Sequence, residues 1–92
     1  RSALAIPNVF PPNQETNNQW RPDLIDIQTI EIWIYDRQGR LMAHLEGPDS
    51  YWDGTHNGTI CPQGSYVYTI LYRSIPRPDM PRSLTGTILL LR

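Results

Sequence analysis

The sequence predicts an all-β chain, a small antiparallel β-sandwich of about seven short strands. Three observations carry that prediction. Ile30-Glu31-Ile32-Trp33-Ile34-Tyr35 and Tyr66-Val67-Tyr68-Thr69-Ile70-Leu71-Tyr72 alternate with period two. No segment shows the 3.6-residue period of an amphipathic helix. Nine prolines and six glycines punctuate the chain with turn signals, and this punctuation between short β-branched and aromatic runs favours strands joined by turns.

Leu4 to Phe10 reads as the first strand, and Pro7 within it marks an edge or a strand start, because proline cannot donate to a ladder. Pro11, Pro12 and Asn13 end it. Gln14 to Gln19 is wholly polar and reads as an exposed loop before Trp20 returns toward the core, with a second loop over Arg21 to Asp23. In the next strand Ile30, Ile32 and Ile34 share the face expected to meet the core, and Glu31, Trp33 and Tyr35 share the other. Asp36-Arg37-Gln38-Gly39 reads as a turn that sends Arg40 to Leu45 back as a hairpin partner. Gly47-Pro48-Asp49-Ser50 breaks the chain, Tyr51-Trp52 re-enters, and Asp53-Gly54 and Asn57-Gly58 predict a compact double turn. Tyr66, Tyr68, Ile70 and Tyr72 face one way along the following strand, and Val67, Thr69 and Leu71 the other. Ile75 to Pro81 is too proline-rich for a central strand and is expected to run over the surface, leaving Leu84 to Leu91 as the last strand.

With 92 residues, the chain has the length of one small domain, taken as residues 1–92. Arg1-Ser2-Ala3-Leu4-Ala5-Ile6 runs into Pro7 with no signal-peptide pattern, so the chain reads as a domain excised from a larger parent that carries its own signal. No apolar run approaches the roughly 20 residues of a membrane helix, and the domain is not expected to span a membrane. Cys61, the sole cysteine, has no internal disulfide partner.

The chemistry-bearing residues exclude more than they suggest. His44 and His56 are the only histidines and neither sits in a nucleophile elbow or triad context, so no catalytic residues and no enzyme are expected. Asp49, Asp53 and His56 lie close in sequence but fit a turn better than a metal site; no metal and no cofactor are expected. Asn57-Gly58-Thr59 matches the glycosylation pattern and is read as turn chemistry. Nine acids against eight arginines, with no lysine, lack the basic stripe of a nucleic-acid binder. Charge is uneven, however: residues 73–92 hold four arginines against Asp79 alone, and residues 1–72 hold four against eight acids. Arginines flanking an apolar strand suit a polar rim around a binding surface or a solvated edge that discourages aggregation.

Three blocks carry a resemblance to a known family: Ile6-Pro7-Asn8-Val9-Phe10-Pro11-Pro12-Asn13, Trp52-Asp53-Gly54-Thr55-His56-Asn57-Gly58, and Gly86-Thr87-Ile88-Leu89-Leu90-Leu91-Arg92. In this order they resemble the gliding motility-associated C-terminal domain, the type B sorting domain of the type IX secretion system in Bacteroidota. Ile34-Tyr35-Asp36-Arg37-Gln38-Gly39-Arg40-Leu41 is similar to the family's Ile-Tyr-Asn-Arg-Trp-Gly-x-Leu hairpin, with Asp36 for asparagine and Gln38 for tryptophan. Cys61-Pro62-Gln63-Gly64-Ser65-Tyr66-Val67-Tyr68 resembles the family's Pro-x-Gly-x-Tyr-x-Tyr strand entry. Where the family has an acidic Gly-Asp-Gly-x-Asn-Asp loop, this chain has Gln14-Glu15-Thr16-Asn17-Asn18-Gln19, which lacks most of the hard oxygen charge that calcium requires.

The resemblance implies an Ig-like sandwich that acts as a non-catalytic secretion signal. It implies passage of a parent protein through the type IX translocon and retention at the cell surface by a PorP/SprF-type outer-membrane β-barrel protein. The motif residues carried over are Pro7, Asn8, Phe10, Asn13, Arg37, Gly39, Trp52, Asp53, Gly54, Gly64, Tyr66 and Tyr68. Four successive apolar residues, Ile88 to Leu91, exceed what one face of a strand buries. Receptor contact is therefore expected at Arg82, Ile88, Leu89, Leu90, Leu91 and Arg92; alternatively, the proline-rich connection covers the outward residues and no partner is needed. The competing function is an Ig-like adhesion or carbohydrate-binding module, for which Trp33, Tyr35 and Tyr51 would have to lie exposed on one face.

Overall fold

The computed structural model describes residues 2–12 and 18–92. Among the described residues nine strands run in the order β1 (Ala3–Ala5), β2 (Val9–Phe10), β3 (Asp23–Ile25), β4 (Ile27–Tyr35), β5 (Leu41–Glu46), β6 (Thr55–His56), β7 (Thr59–Ile60), β8 (Gly64–Ser74) and β9 (Arg82–Leu90). They form a five-stranded sheet ordered β2-β9-β8-β4-β5 and two ribbons, β1-β3 and β6-β7. No helix occurs among the described residues. The all-β expectation holds, and the ribbons with their flanking segments close the inner face of the large sheet as a small sandwich.

The predicted first strand is two strands in different sheets. Pro7 has no N–H to give and a fixed φ, and the chain bends there, so that β1 pairs antiparallel with β3 while β2 pairs parallel with β9. Switching sheets at such a bend is a general way of making a sandwich corner, and the parallel pair departs from the purely antiparallel expectation. The Pro7 carbonyl accepts from Trp20 Nε1 at 2.8 Å. The predicted loop at Arg21 to Asp23 partly becomes β3: three residues are too few to show a period, and only pairing with β1 defines the strand. Asp26, at φ 54°, turns the chain from β3 into β4; a short polar side chain tolerates that left-handed conformation better than a branched one.

The isoleucine face of β4 meets the core as expected. Ile30, Ile32 and Ile34 are buried together with Tyr66 and Ile70 of β8, Ile88 and Leu90 of β9, Phe10 of β2 and Leu45 of β5. Trp20 and Trp52 complete the cluster, joined by reciprocal backbone hydrogen bonds of 2.7 and 2.9 Å. Tyr68 packs on Trp20 with ring centroids 5.6 Å apart.

The predicted turns at Asp36 to Gly39 and at Asn57-Gly58 form. In the β4-β5 hairpin Asp36 Oδ1 accepts from the backbone N–H groups of Gln38 and Arg40, each at 2.9 Å, and Asp36 Oδ2 accepts from Arg40 Nε at 2.8 Å. These bonds, led by that from the Arg40 amide, hold the Asp36 carboxyl below its ordinary pKa. A carboxyl depressed in the folded state stabilises at neutral pH, and that stabilisation is lost as pH falls through the folded value. The hairpin contribution is therefore expected to fade on acidification below the ordinary carboxylate range. Asp36→Asn should flatten this part of the stability-pH curve by removing the neutral-pH contribution, so that the variant is the less stable of the two at neutral pH and the difference closes in acid, as urea unfolding at several pH values will show. Asn57 and Gly58, at φ 52° and 81°, give the β6-β7 ribbon the two left-handed residues that an Asn-Gly hairpin turn requires.

Candidate functional site

The end of β9 gathers all three sequence blocks. Phe10 and Trp52 approach at 5.9 Å between ring centroids, and Trp52 and Tyr66 at 5.3 Å. Trp52 Nε1 donates to Thr55 O at 3.0 Å, and Tyr66 Oη donates to Pro62 O at 2.6 Å. The chain at Gly54 runs directly beneath its neighbours: a Cβ there would lie 3.1 Å from Arg92 Nη2, 3.4 Å from Pro12 Cγ and 3.5 Å from Phe10 Cε2, and φ is 83°. Only glycine meets both demands without strain.

Arg92 closes this junction. Its backbone N–H donates to Gln63 Oε1 at 2.9 Å, and its guanidinium donates to Cys61 O at 3.1 Å and to Gly54 O at 2.7 Å. Gly54 O also accepts from the Cys61 N–H at 2.9 Å. Burial raises the Cys61 thiol pKa, and the adjacent Arg92 charge only partly opposes that. The expectation from the linear pattern is Arg92 at a receptor rim; the structure adds donation from its guanidinium to two backbone carbonyls, one of them in a turn 38 residues away, a contact with no signature along the chain.

β9 pairs with β8 along its whole length, from Gly64↔Leu90 to Tyr72↔Arg82, without a register shift. Strict alternation splits the apolar run. Ile88 and Leu90 are fully buried, and Leu89 and Leu91 keep 40% and 38% exposure. Val9, the β2 partner of Leu89, is 44% exposed. Val9, Leu89 and Leu91 thus make an outward apolar patch, while Ile88 and Leu90 are unavailable to any partner of the folded domain. The proline-rich connection joins the opposite end of β9, and Leu84, Leu89 and Leu91 stay exposed. The Arg82 side chain is exposed and has no hydrogen-bond or ion-pair partner among the described residues.

The other motif residues have mainly structural places. Asn8 O accepts from Leu89 N at 2.9 Å, Gly39 sits in the β4-β5 turn at φ 81°, and Gly64 opens β8. Arg37 is exposed in the turn. Asp53 Oδ1 accepts from the Thr55 N–H and hydroxyl at 3.1 and 2.7 Å. Asn13, and most of the polar loop that replaces the acidic one, lie outside the described residues.

Asp49, Asp53 and His56 do not form a ligand group: Asp53 is engaged with Thr55, and His56 Nδ1 meets Met42 O at 3.0 Å. Sequence reading misses Glu31, His44 and Glu46, which β4-β5 pairing brings together with donor atoms within 4.8 Å of one another. His44 Nε2 lies 2.6 Å from Glu31 Oε2, and the imidazole stacks on Trp33 at 5.1 Å and 13°. Glu31 and Glu46 are paired directly across the strands, an opposition that is unfavourable by itself, and the imidazole beside Glu31 tempers it. Of the aromatics of the adhesion alternative, Trp33 and Tyr35 lie half-buried on the outer face of β4, with Trp33 stacked on His44, and Tyr51 alone is exposed.

Comparison with protein families yields a match between residues 4–88 and the family model described as CHU_C Type IX secretion signal domain. Comparison with curated proteins and with solved structures yields no match.

Proposed function

This chain belongs to the CHU_C type IX secretion signal domain family, and from that membership we infer that it is the folded, non-catalytic signal by which the type IX translocon selects a parent protein. The parent of such a domain is secreted across the outer membrane. A PorP/SprF-type outer-membrane β-barrel protein receives the signal and retains the parent at the cell surface.

The observation that carries the docking part of this reading is the patch of Val9, Leu89 and Leu91. Recognition of a folded signal needs an accessible surface, and a contiguous apolar patch on a strand whose other end carries the exposed Arg82 suits one. Deleting Leu89 to Arg92 is a poor test, because it also removes Leu90 from the core and the Arg92 contacts from Gly54 and Cys61. Leu89→Thr with Leu91→Thr keeps β propensity and changes only outward side chains. In a reporter fused to this chain, expressed in a host with a type IX system, the double variant is expected to lower surface export about tenfold, equivalent to ~1.4 kcal/mol of lost contact. Undiminished export of the folded double variant would remove docking through this patch.

A further inference from the structure

The two edges of the five-stranded sheet are finished differently. The β5 edge carries His44 and Glu46, its pairing with β4 shifts register between Ile34 and Tyr35, and His56 reaches the Met42 carbonyl. Charges, irregular pairing and covering side chains are how proteins keep an edge strand from recruiting another strand. The other edge has none of these over most of its length. β2 covers β9 only at Val9↔Leu89 and Phe10↔Leu90. Pro7 bends the chain away before it can extend the pairing toward Thr87.

The direction of the unpaired groups follows from two bonds. Leu89 N donates to Asn8 O and Leu91 N to Phe10 O, each at 2.9 Å, so the odd-numbered residues of β9 turn their N–H and C=O groups toward β2. Backbone groups alternate along a strand, and β9 pairs with β8 without a bulge. Ser83, Thr85 and Thr87 therefore direct their N–H and C=O groups at the open edge, and no backbone partner meets them there among the described residues. From Ser83 to Leu91 there is no charge and no proline. Arg82, without an ion-pair partner among the described residues, stands at the start of this edge, and the stretch 73–92 is net positive.

We propose that the Ser83–Thr87 edge of β9 receives an extended strand from a type IX secretion protein, with an acidic residue of that strand facing Arg82. This deepens the docking reading of the preceding section and rests on it. Main-chain pairing supplies the affinity in strand addition, and flanking side chains select the partner. The outward patch of Val9, Leu89 and Leu91 lies on the same strand, so one partner reaches both.

Thr85→Pro is the direct test, because it deletes an N–H aimed at the open edge while the β8-facing groups of Leu84 and Gly86 stay intact. Proline is tolerated in a strand where its missing N–H faces outward. The variant should fold, by circular dichroism and urea unfolding, yet export the fused reporter about tenfold less, whereas Thr85→Val, which keeps the N–H, should export normally. Thr85→Lys with Thr87→Lys places guarding charges on the strand without touching the backbone, and it serves if the proline variant does not fold; its export should fall similarly. Normal export of either folded variant overturns strand addition, and if the Leu89/Leu91 variant still fails, side-chain docking stands alone. Failure of the unsubstituted chain to export the reporter overturns the secretion reading itself. A dimer in sedimentation that Thr85→Pro dissociates without loss of export assigns the edge to a second copy of this chain and overturns the proposal.

Discussion

Trp52→Ala is expected to destabilise the domain by about 3–5 kcal/mol, the usual cost of emptying a large buried aromatic site. Trp52 is buried, packs against Phe10 and Tyr66, and shares two backbone bonds with Trp20. Truncation removes contact area from both rings and deletes the bond from Nε1 to Thr55 O. Domains of this size have a total stability of roughly 5–15 kcal/mol, so the variant should sit near the edge of folding. Trp52→Phe retains most of the ring contact and should recover more than half of the loss, leaving the indole hydrogen bond and some volume unmatched. Urea unfolding of the two variants decides the role of the Trp-Asp-Gly block. A cost below about 1 kcal/mol for Trp52→Ala, together with loss of export, would mean that Trp52 acts as a recognition contact rather than as a core anchor.

Gly86→Ala is the second large effect, and its sign runs against the ordinary rule. Glycine inside a strand usually costs about 0.5–1 kcal/mol relative to alanine, so filling it would normally stabilise. Here Gly86 lies directly across from Tyr68 in the β8-β9 ladder. A Cβ would fall 2.8 Å from Tyr68 Cε2 and closer still to Cζ and Oη. The ring must swing away, and it is already packed against Trp20. Overpacking of this kind costs about 1–3 kcal/mol, which exceeds the gain, and a net loss of about 1–2 kcal/mol is expected from these two ranges. In a Tyr68→Leu background the same substitution should become neutral or stabilising, a coupling that a double-mutant cycle reads directly. Gly86→Ala raising stability in the unsubstituted chain would rule out the Tyr68 contact as the reason for glycine at this position.

Strands long enough to show a period are legible in the linear pattern. Ile30, Ile32 and Ile34 can be assigned to the core because side-chain direction in a strand depends only on parity, whereas in β8 parity separates the two faces but apolar residues on both leave the choice of the buried one, with Tyr66 and Ile70, to the packing. The Asp36 to Gly39 and Asn57-Gly58 turns are legible because their chemistry is local. β1, β2 and β3 are not legible as separate strands. They have two or three residues each, and what makes them strands is a partner far away in sequence. The candidate site divides in the same way. That Ile88 to Leu91 must turn some apolar residues outward follows from parity. The gathering of Glu31, His44 and Glu46 follows from register, and the use of Arg92 as a clamp on Gly54 follows from neither.

The all-β class, the main hairpin, the core face of β4 and, through three ordered blocks, the secretion family are all specified along the chain. They rest on local propensity, alternation and motif order, none of which needs a distant partner. The passage of the chain at Pro7 from one sheet to the other, the division of Ile88 and Leu90 to the core and Leu89 and Leu91 to the surface, and the open edge of β9 arise only in three dimensions. Each depends on which strand lies alongside which, and that is set by hydrogen-bond pairing and burial between residues distant in sequence.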